Sequence, residues 1–494
     1  MMDAQEIQRL IQLDHAHVWH PFTPMRQWRE SDPIIIESGD AEFLFDVHGK
    51  RYIDGVSSLW ANVHGHRVKE IDDAIRAQLD RVAHSTMLGL ANVPATELAG
   101  ELVAMTPGDL TRVFYTDSGA TATEVAFKMA VGYWFHRGQD QRHTFLALTG
   151  AYHGDTTGAM SVGYSDLFHR PFRRMTFQTE FVDPPHITYD STRAAEKVGE
   201  RRRWPLEDDQ RCAKAVAEAL AALDAKLCEV GGATAGIVLE PLVQGAAGMV
   251  MQPPAYVQGV AELAKKHGTL LIVDEVATGF GRTGEMFACD RAGIKPDLLC
   301  LGKGLSGGYL PVAATLCTEE IGQAFEGELG EHRTLYHGHT FTGNPLGCAA
   351  SLASIKLLQR EGMMAEVREK AGMLARLLDP LRDADGFPQV VDVRQCGLML
   401  GIELHAPPTK VAGNTAGQDG GGALGDFGET ASPAAPGQTI RRPAYEACMR
   451  ARDEGLLIRP LGNVIILMPP LAIRRESLEQ LAETTINAIE MTTY

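Results

Sequence analysis

Six short apolar runs, set among stretches of helical periodicity, restrict what this chain can fold into. They are RVFY (112–115), TFLAL (144–148), GIVLE (236–240), LLIVD (270–274), LLCL (298–301) and VAATL (312–316). Each is apolar on both faces and bounded by Gly, Pro or Asp, as strands are when a sheet is covered on both sides. Helices are predicted over 69–82, where Ile71, Ile75, Leu79 and Val82 recur at helical spacing, and over 94–105, 120–136, 211–228 and 255–267. The alternation predicts an α/β fold with a mostly parallel sheet. Before it, PIIIE, EFLFDV and RYID (33–54) predict short strands, with turns at Ser38-Gly39-Asp40 and His48-Gly49-Lys50. After about 343 the pattern gives helices at 345–359 and 364–381, strands near 390–404, then helix–strand–strand–helix over 441–494. Segment 405–440, rich in Gly, Pro, Ala and Thr, has too little apolar surface for a core and reads as a mobile insertion.

The net charge of −17 comes without a basic tract. Phosphate backbones and anionic membranes need clustered Lys and Arg, so neither partner is expected; Arg201–Arg203 is too short a run. Eight scattered cysteines without a C-x-x-C pair fit a reducing compartment. The polar start MMDAQEIQRLIQLDHAHVWH has no apolar signal core, and no stretch reaches the ~18 apolar residues of a membrane span. A cytoplasmic protein is expected.

Three motifs invite a nucleotide reading and fail it. GFGRTG (279–284) fits G-x-G-x-x-G, but Asp274 and Glu275 occupy the strand end where a dinucleotide fingerprint needs glycines, and EMFACDRAGIKPD is a poor helix behind it. LLIVDE (270–275) resembles a Walker B strand. Yet Gly302-Lys303 has Asp297 where a P-loop needs Gly and Gly304 where it needs Ser or Thr. The histidine clusters at 15–20, 64–66 and 337–339 lack metal-ligand spacing, so no metal is expected there.

What remains are reactive side chains at strand carboxyl ends, where open α/β sheets bind ligands. Lys303 follows LLCLG and is ringed by glycines in GKGLSGG; elsewhere it would be a solvated turn lysine, but small neighbours leave room for a ring. Asp274 closes LLIV, as a turn aspartate or as a buried carboxylate paired with a cation. Ser118-Gly119-Ala120 lies between a strand and a long helix, where first-turn amides can cradle a phosphate. Tyr152 places an aromatic at another strand end. An amine, a buried carboxylate, an aromatic face and a phosphate cradle are together what an aldehyde cofactor with a pyridine ring and a phosphate requires.

The runs 117–130, 150–163, 270–285, 297–312 and 337–348, with DEVATGFGRTG and GKGLSGG the most specific, resemble class III aminotransferases of fold type I. That resemblance implies pyridoxal 5'-phosphate as cofactor, held in a large domain (57–360) with a mostly parallel seven-stranded sheet. A smaller α+β domain would come from both termini (1–56 and 361–494). It implies Lys303 as Schiff-base lysine, Asp274 on the ring nitrogen, Tyr152 stacked on the ring, and Ser118, Gly119 and Ala120 at the phosphate. Glu240 would lie on the cofactor side with His339, and Thr340 would reach the phosphate of a neighbouring subunit, making a homodimer. Some relatives have Ser at the place of Ala120, so one phosphate hydrogen bond is missing from that set.

Within the family HVWHPFTPM (17–25), DGVSSLWANVHGH (54–66), HGHTFTGNPLGCAAS (337–351) and LLIRPLGNVIILMPP (456–470) resemble the biotin-pathway members. The implied substrate is 8-amino-7-oxononanoate, with Arg459 at its carboxylate, Trp60 along its stem, and Phe22 and Gly338 also lining the substrate site. Members that take the amino group from S-adenosylmethionine generally carry Tyr at the place of Phe22 and Trp at the place of Leu59. Losing a hydroxyl and an indole face removes a hydrogen bond and a cation–π platform for a sulfonium. Lysine-using relatives also lack both, so S-adenosylmethionine and lysine both remain as donor. An ω-amino acid:pyruvate or ornithine aminotransferase would share Lys303 and Asp274. A retired, cofactor-binding regulator would be expected to have lost them.

Overall fold

The computed structural model describes residues 2–187, 210–405 and 442–492; the segment 405–440 beyond His405, and Arg201–Arg203, lie outside the described residues. The six apolar runs all fall in one seven-stranded sheet. Its order is Leu110–Thr116, Ala313–Thr318, Leu298–Leu301, Leu270–Asp274, Thr234–Leu239, Thr144–Leu148, Thr179–Val182. Neighbours are parallel except where Ala313–Thr318 pairs antiparallel on both sides. One strand alone is reversed. The edge strand TEFV (179–182) is not among the forecast runs, since its Thr and Glu break the apolar signal.

Alternate residues of the central strands serve opposite cores. Leu239, Leu271, Val273 and Leu299 pack with Tyr256, Val257 and Val260 of the helix Pro254–Lys266. Val238, Ile272 and Cys300 face Ala122, Val125, Ala126 and Ala130 of the helix Gly119–His136. Full burial of each Leu, Ile or Val contributes about 1.5–3 kcal/mol. This two-sided cover is why those runs show no polar alternation.

Two smaller sheets flank this core. In one, Ile36–Asp40, Phe43–Asp46 and Arg51–Asp54 are joined by Leu456–Leu457, so distant parts of the chain share a sheet. The other is ordered Val390–Cys396, Met399–Leu404, Val464–Leu467, Arg459–Leu461.

Two local expectations need correction. Ser38-Gly39-Asp40 is strand, and the chain reverses after it at Ala41, whose φ is 51°. Gly39 is there for space, because a Cβ would come within 2.8 Å of His66. The helix forecast over 69–82 ends at Leu79, and Leu79 and Val82 are exposed although they continue the apolar spacing. The N-terminal helix Ala4–His17, capped by the Asp3 side chain, buries only Ile7 and so carries little apolar signal.

Glu275, next to Asp274, shows how the site's loop is anchored. Its buried carboxylate accepts from the Ala288 and Cys289 amides at 2.7 Å each, closing the start of the short helix Ala288–Ala292. Burial pushes its pKa up to about 7. Glu275→Ala leaves two buried N–H groups without their acceptor and is expected to cost about 3 kcal/mol. The denaturation midpoint checks this; an unshifted midpoint contradicts it.

Candidate active site

Glycines let the strand ends converge. Lys303 follows Leu298–Leu301 through Gly302, opens a 3-10 turn and holds a left-handed φ of 38°. A Cβ on Gly302 would press on Val276 at 3.3 Å and on the Gly119 Cα at 3.4 Å. One on Gly119 would sit 2.5 Å from Val276, and one on Gly154 2.3 Å from the Ala120 Cβ. The Lys303 turn, the loop after Asp274, the start of the helix Gly119–His136 and the Tyr152–Gly154 segment are thereby brought into contact.

Within this cluster the Lys303 amine lies 5.5 Å from the Trp60 ring centroid and, among the described residues, makes no hydrogen bond. Burial lowers its pKa, Asp274 and Glu240 oppose that shift, and the Arg282 charge adds to it. Asp274 accepts from His153 Nδ1 at 2.7 Å and from the Val276 amide at 2.9 Å. Burial disfavours protonated His153, but the Asp274 contact and the Glu240 charge hold its pKa above the ordinary value. Its buried Nε2 has no partner.

Glu240 is buried and accepts from the amides of Tyr152 (3.1 Å) and Gly245 (3.0 Å). Burial raises its pKa to about 7. The Tyr152 hydroxyl donates to Asp155 at 2.7 Å, and burial raises its pKa. A shallow open cleft runs beside it, lined by Gly150, Ala151, Tyr152, Phe168, Ala246 and Ala247. Phe168 meets Phe22 edge-on at 5.7 Å. Ser118 caps the helix Gly119–His136 through the Thr121 amide, leaving the first-turn amides of Gly119 and Ala120 among those a helix cannot satisfy internally.

Trp60 stands on an unusual support. Ser57, Ser58, Leu59 and Trp60 all have positive φ, between 47° and 73°. Non-glycine residues adopt this conformation only when held there. Asp54 accepts from the Ser58 amide and hydroxyl, and Ser57 donates to the Met468 carbonyl. The fully buried Arg282 donates to the carbonyls of Trp60, Asn62 and Pro469. The glycine-rich 279–284 segment thus delivers an arginine to this turn.

The remaining candidates lie further out. His339 leans on Asp117 beside the Ser118 turn (3.5 Å) and on His337 (2.9 Å). Gly338 and Thr340 are exposed. Leu59 is exposed, and Arg459 is exposed on its strand, where no carboxylate partner is described. Sequence reasoning assigned no role to His153, Asp155 or Arg282; His153 stood beside Tyr152 at a strand end, which was the signal available.

The chain belongs to the class III aminotransferases, whose family profile matches residues 25–489. An adenosylmethionine-8-amino-7-oxononanoate aminotransferase from Geobacter sulfurreducens is 42% identical, with all of both chains covered. One of the same name from Nitratidesulfovibrio vulgaris is 44% identical over 98% of this chain and 82% of its own. The crystal structure of the same-named protein from Methanocaldococcus jannaschii superposes with a TM-score of 0.83 at 39% identity, covering 99% of this chain and 100% of that one. An amine transaminase from an uncultivated Pseudomonas species, in its pyridoxal-phosphate-bound form, gives 0.82 at 30% identity over 97% and 99%.

The residues present fit that cofactor. An amine without a hydrogen-bond partner, a buried carboxylate carrying a histidine, an aromatic side chain and a helix N-terminus with free amides meet at one end of the sheet. The chain is a pyridoxal-phosphate-dependent transaminase.

Proposed function

We propose that this enzyme transfers an amino group to 8-amino-7-oxononanoate, giving 7,8-diaminononanoate for biotin synthesis. The names of relatives at 42% and 44% identity over almost the whole chain support this. The observation that carries the chemistry is the half-buried Lys303 amine, held beside Trp60 and under the charges of Asp274 and Glu240.

When bound, pyridoxal phosphate supplies an aldehyde that carries the amino group and a ring that accepts the electron pair freed by proton removal. Lys303 Nζ takes the proton from the donor's carbon and returns one to the substrate's C7 side. Its lowered pKa favours the neutral base this needs. Asp274, backed by His153, would supply the negative charge that pairs with the ring nitrogen. Tyr152 would cover the ring, Glu240 fixes the Tyr152 and Gly245 backbone, and Ser118, Gly119 and Ala120 would hold the phosphate. Trp60 and Phe22 line the path of the aliphatic stem. Purified enzyme given 8-amino-7-oxononanoate with S-adenosylmethionine or with lysine should form diaminononanoate with at least one of them. Activity only with ω-amino acids and pyruvate would assign the chain elsewhere in its family. Phe22 and Leu59 favour lysine and the relatives' names favour S-adenosylmethionine, so both remain as donor and the same assay separates them.

Arg459 is assigned to the substrate carboxylate by its resemblance to the family's pattern; burial lowers the pKa of its guanidinium, and no carboxylate among the described residues pairs with it. Arg459→Ala is expected to raise KM for 8-amino-7-oxononanoate about 30- to 100-fold, the loss of a charge-assisted hydrogen-bonded pair, with a smaller change in kcat. An unchanged KM would remove it from the site.

The working unit is a homodimer in which Thr340 reaches the phosphate of the partner's site. Support comes from a surface where Leu88 is 90% and Leu90 62% exposed beside an exposed Phe341. Their loops are tied together by Asn92 to the Gly343 carbonyl and by His84 against Phe341. Apolar side chains so grouped call for cover. Light scattering should give twice the chain mass, and Leu88→Asp should lower it to one.

A further inference from the structure

Seven of the eight cysteines are buried; Cys228 alone is exposed. It lies one turn after Asp224 on the helix Gln210–Val230, so both side chains leave the same face. The neighbouring helix Pro254–Lys266 ends at His267, its C-cap, against that face. A Cβ at Gly259 would fall 2.3 Å from Leu220, so the two helices are in close contact and both elements are firmly placed. One ligand atom from each of Asp224, Cys228 and His267 lies within 4.8 Å of the other two.

We propose that Asp224, Cys228 and His267 form a surface site for a thiophilic divalent cation, zinc being the best match, with water as fourth ligand. A carboxylate oxygen, an imidazole nitrogen and a thiolate are the three donor types zinc takes, in a tetrahedron with bonds of about 2.0–2.3 Å. A small contraction of the cluster reaches that geometry. Soft thiolate excludes magnesium and calcium, which prefer oxygen alone. The histidine clusters along the chain take no part.

The present contacts are ones an ion can replace. His267 Nε2 is 2.6 Å from Asp224 Oδ1, and Lys266 Nζ is 2.8 Å from both Asp224 oxygens. On binding, the Cys228 thiol loses its proton to solvent as the sulfur–metal bond forms. His267 gives up its Nε2 proton, to solvent or by exchange to Nδ1, and binds the ion through the freed lone pair, while Lys266 turns into solvent. Lys266 is 58% exposed, and an exposed ion pair is a weak competitor.

Chelator-treated, cofactor-loaded enzyme titrated with Co2+ should bind one equivalent per chain at this site. The visible bands should be those of four-coordinate thiolate-ligated cobalt, removed by added Zn2+. Cys228→Ser and His267→Ala should weaken binding by about 100-fold or more while transaminase activity is kept. A second measurement needs no variant. Because the other seven thiols are buried, iodoacetamide on the native protein reads Cys228, and Zn2+ should slow its alkylation at least tenfold. Absence of cobalt binding, equal binding by Cys228→Ser and wild type, or alkylation indifferent to Zn2+ would each overturn the proposal.

Discussion

Lys303→Ala is expected to reduce turnover by at least about 10⁴-fold, the upper range for removal of a positioned acid–base group. The site offers no evident substitute: Arg282 is committed to three backbone carbonyls. Arginine is also too weak a base to share the task. The variant should still take up pyridoxal phosphate, since Ser118, Asp274 and Tyr152 are untouched, but without the covalent link and its visible absorbance. Added methylamine should restore part of the activity if the missing function is proton transfer. Turnover within tenfold of wild type would end the assignment.

Asp274→Asn is expected to lower kcat by about 10³-fold, equivalent to about 4 kcal/mol at the transition state. The substitution keeps volume and can still accept from the Val276 amide, so the fold should survive. It removes the negative charge proposed to face the cofactor ring, which also holds His153 at 2.7 Å. With that charge gone, only the Glu240 charge still opposes burial at His153, so its pKa should fall, which NMR titration of the ring reads. A kcat within threefold of wild type would show that the charge is not used.

The central sheet was legible because buried strands leave uninterrupted runs such as LLIVD and LLCL, and glycines around Lys303 marked a place where segments crowd. The reversed direction of Ala313–Thr318 was not legible, because VAATL has the same composition whichever way it runs. Nor was the His153–Asp274 pair, joined across 121 residues with no local spacing to betray it. The turn at Ser57–Trp60 was hidden for a different reason. Its positive φ values sit on serine, leucine and tryptophan, residues that ordinarily avoid that region, and the groups that impose it come from Asp54, Arg282 and Met468. Leu79 and Val82 point the other way, toward an apolar period that outruns the helix carrying it.

Among the described residues, the edge strand Leu110–Thr116 bonds only to Ala313–Thr318. On a ribosome its partner emerges roughly two hundred residues later, a delay of about 10–40 s at ordinary elongation rates. Until then the nascent chain carries an unzipped apolar edge, a natural client for a chaperone. The same late pairing draws the Ser118–Ala120 turn up to Lys303, so cofactor capture is expected to begin only after the final third of the polypeptide has started to appear.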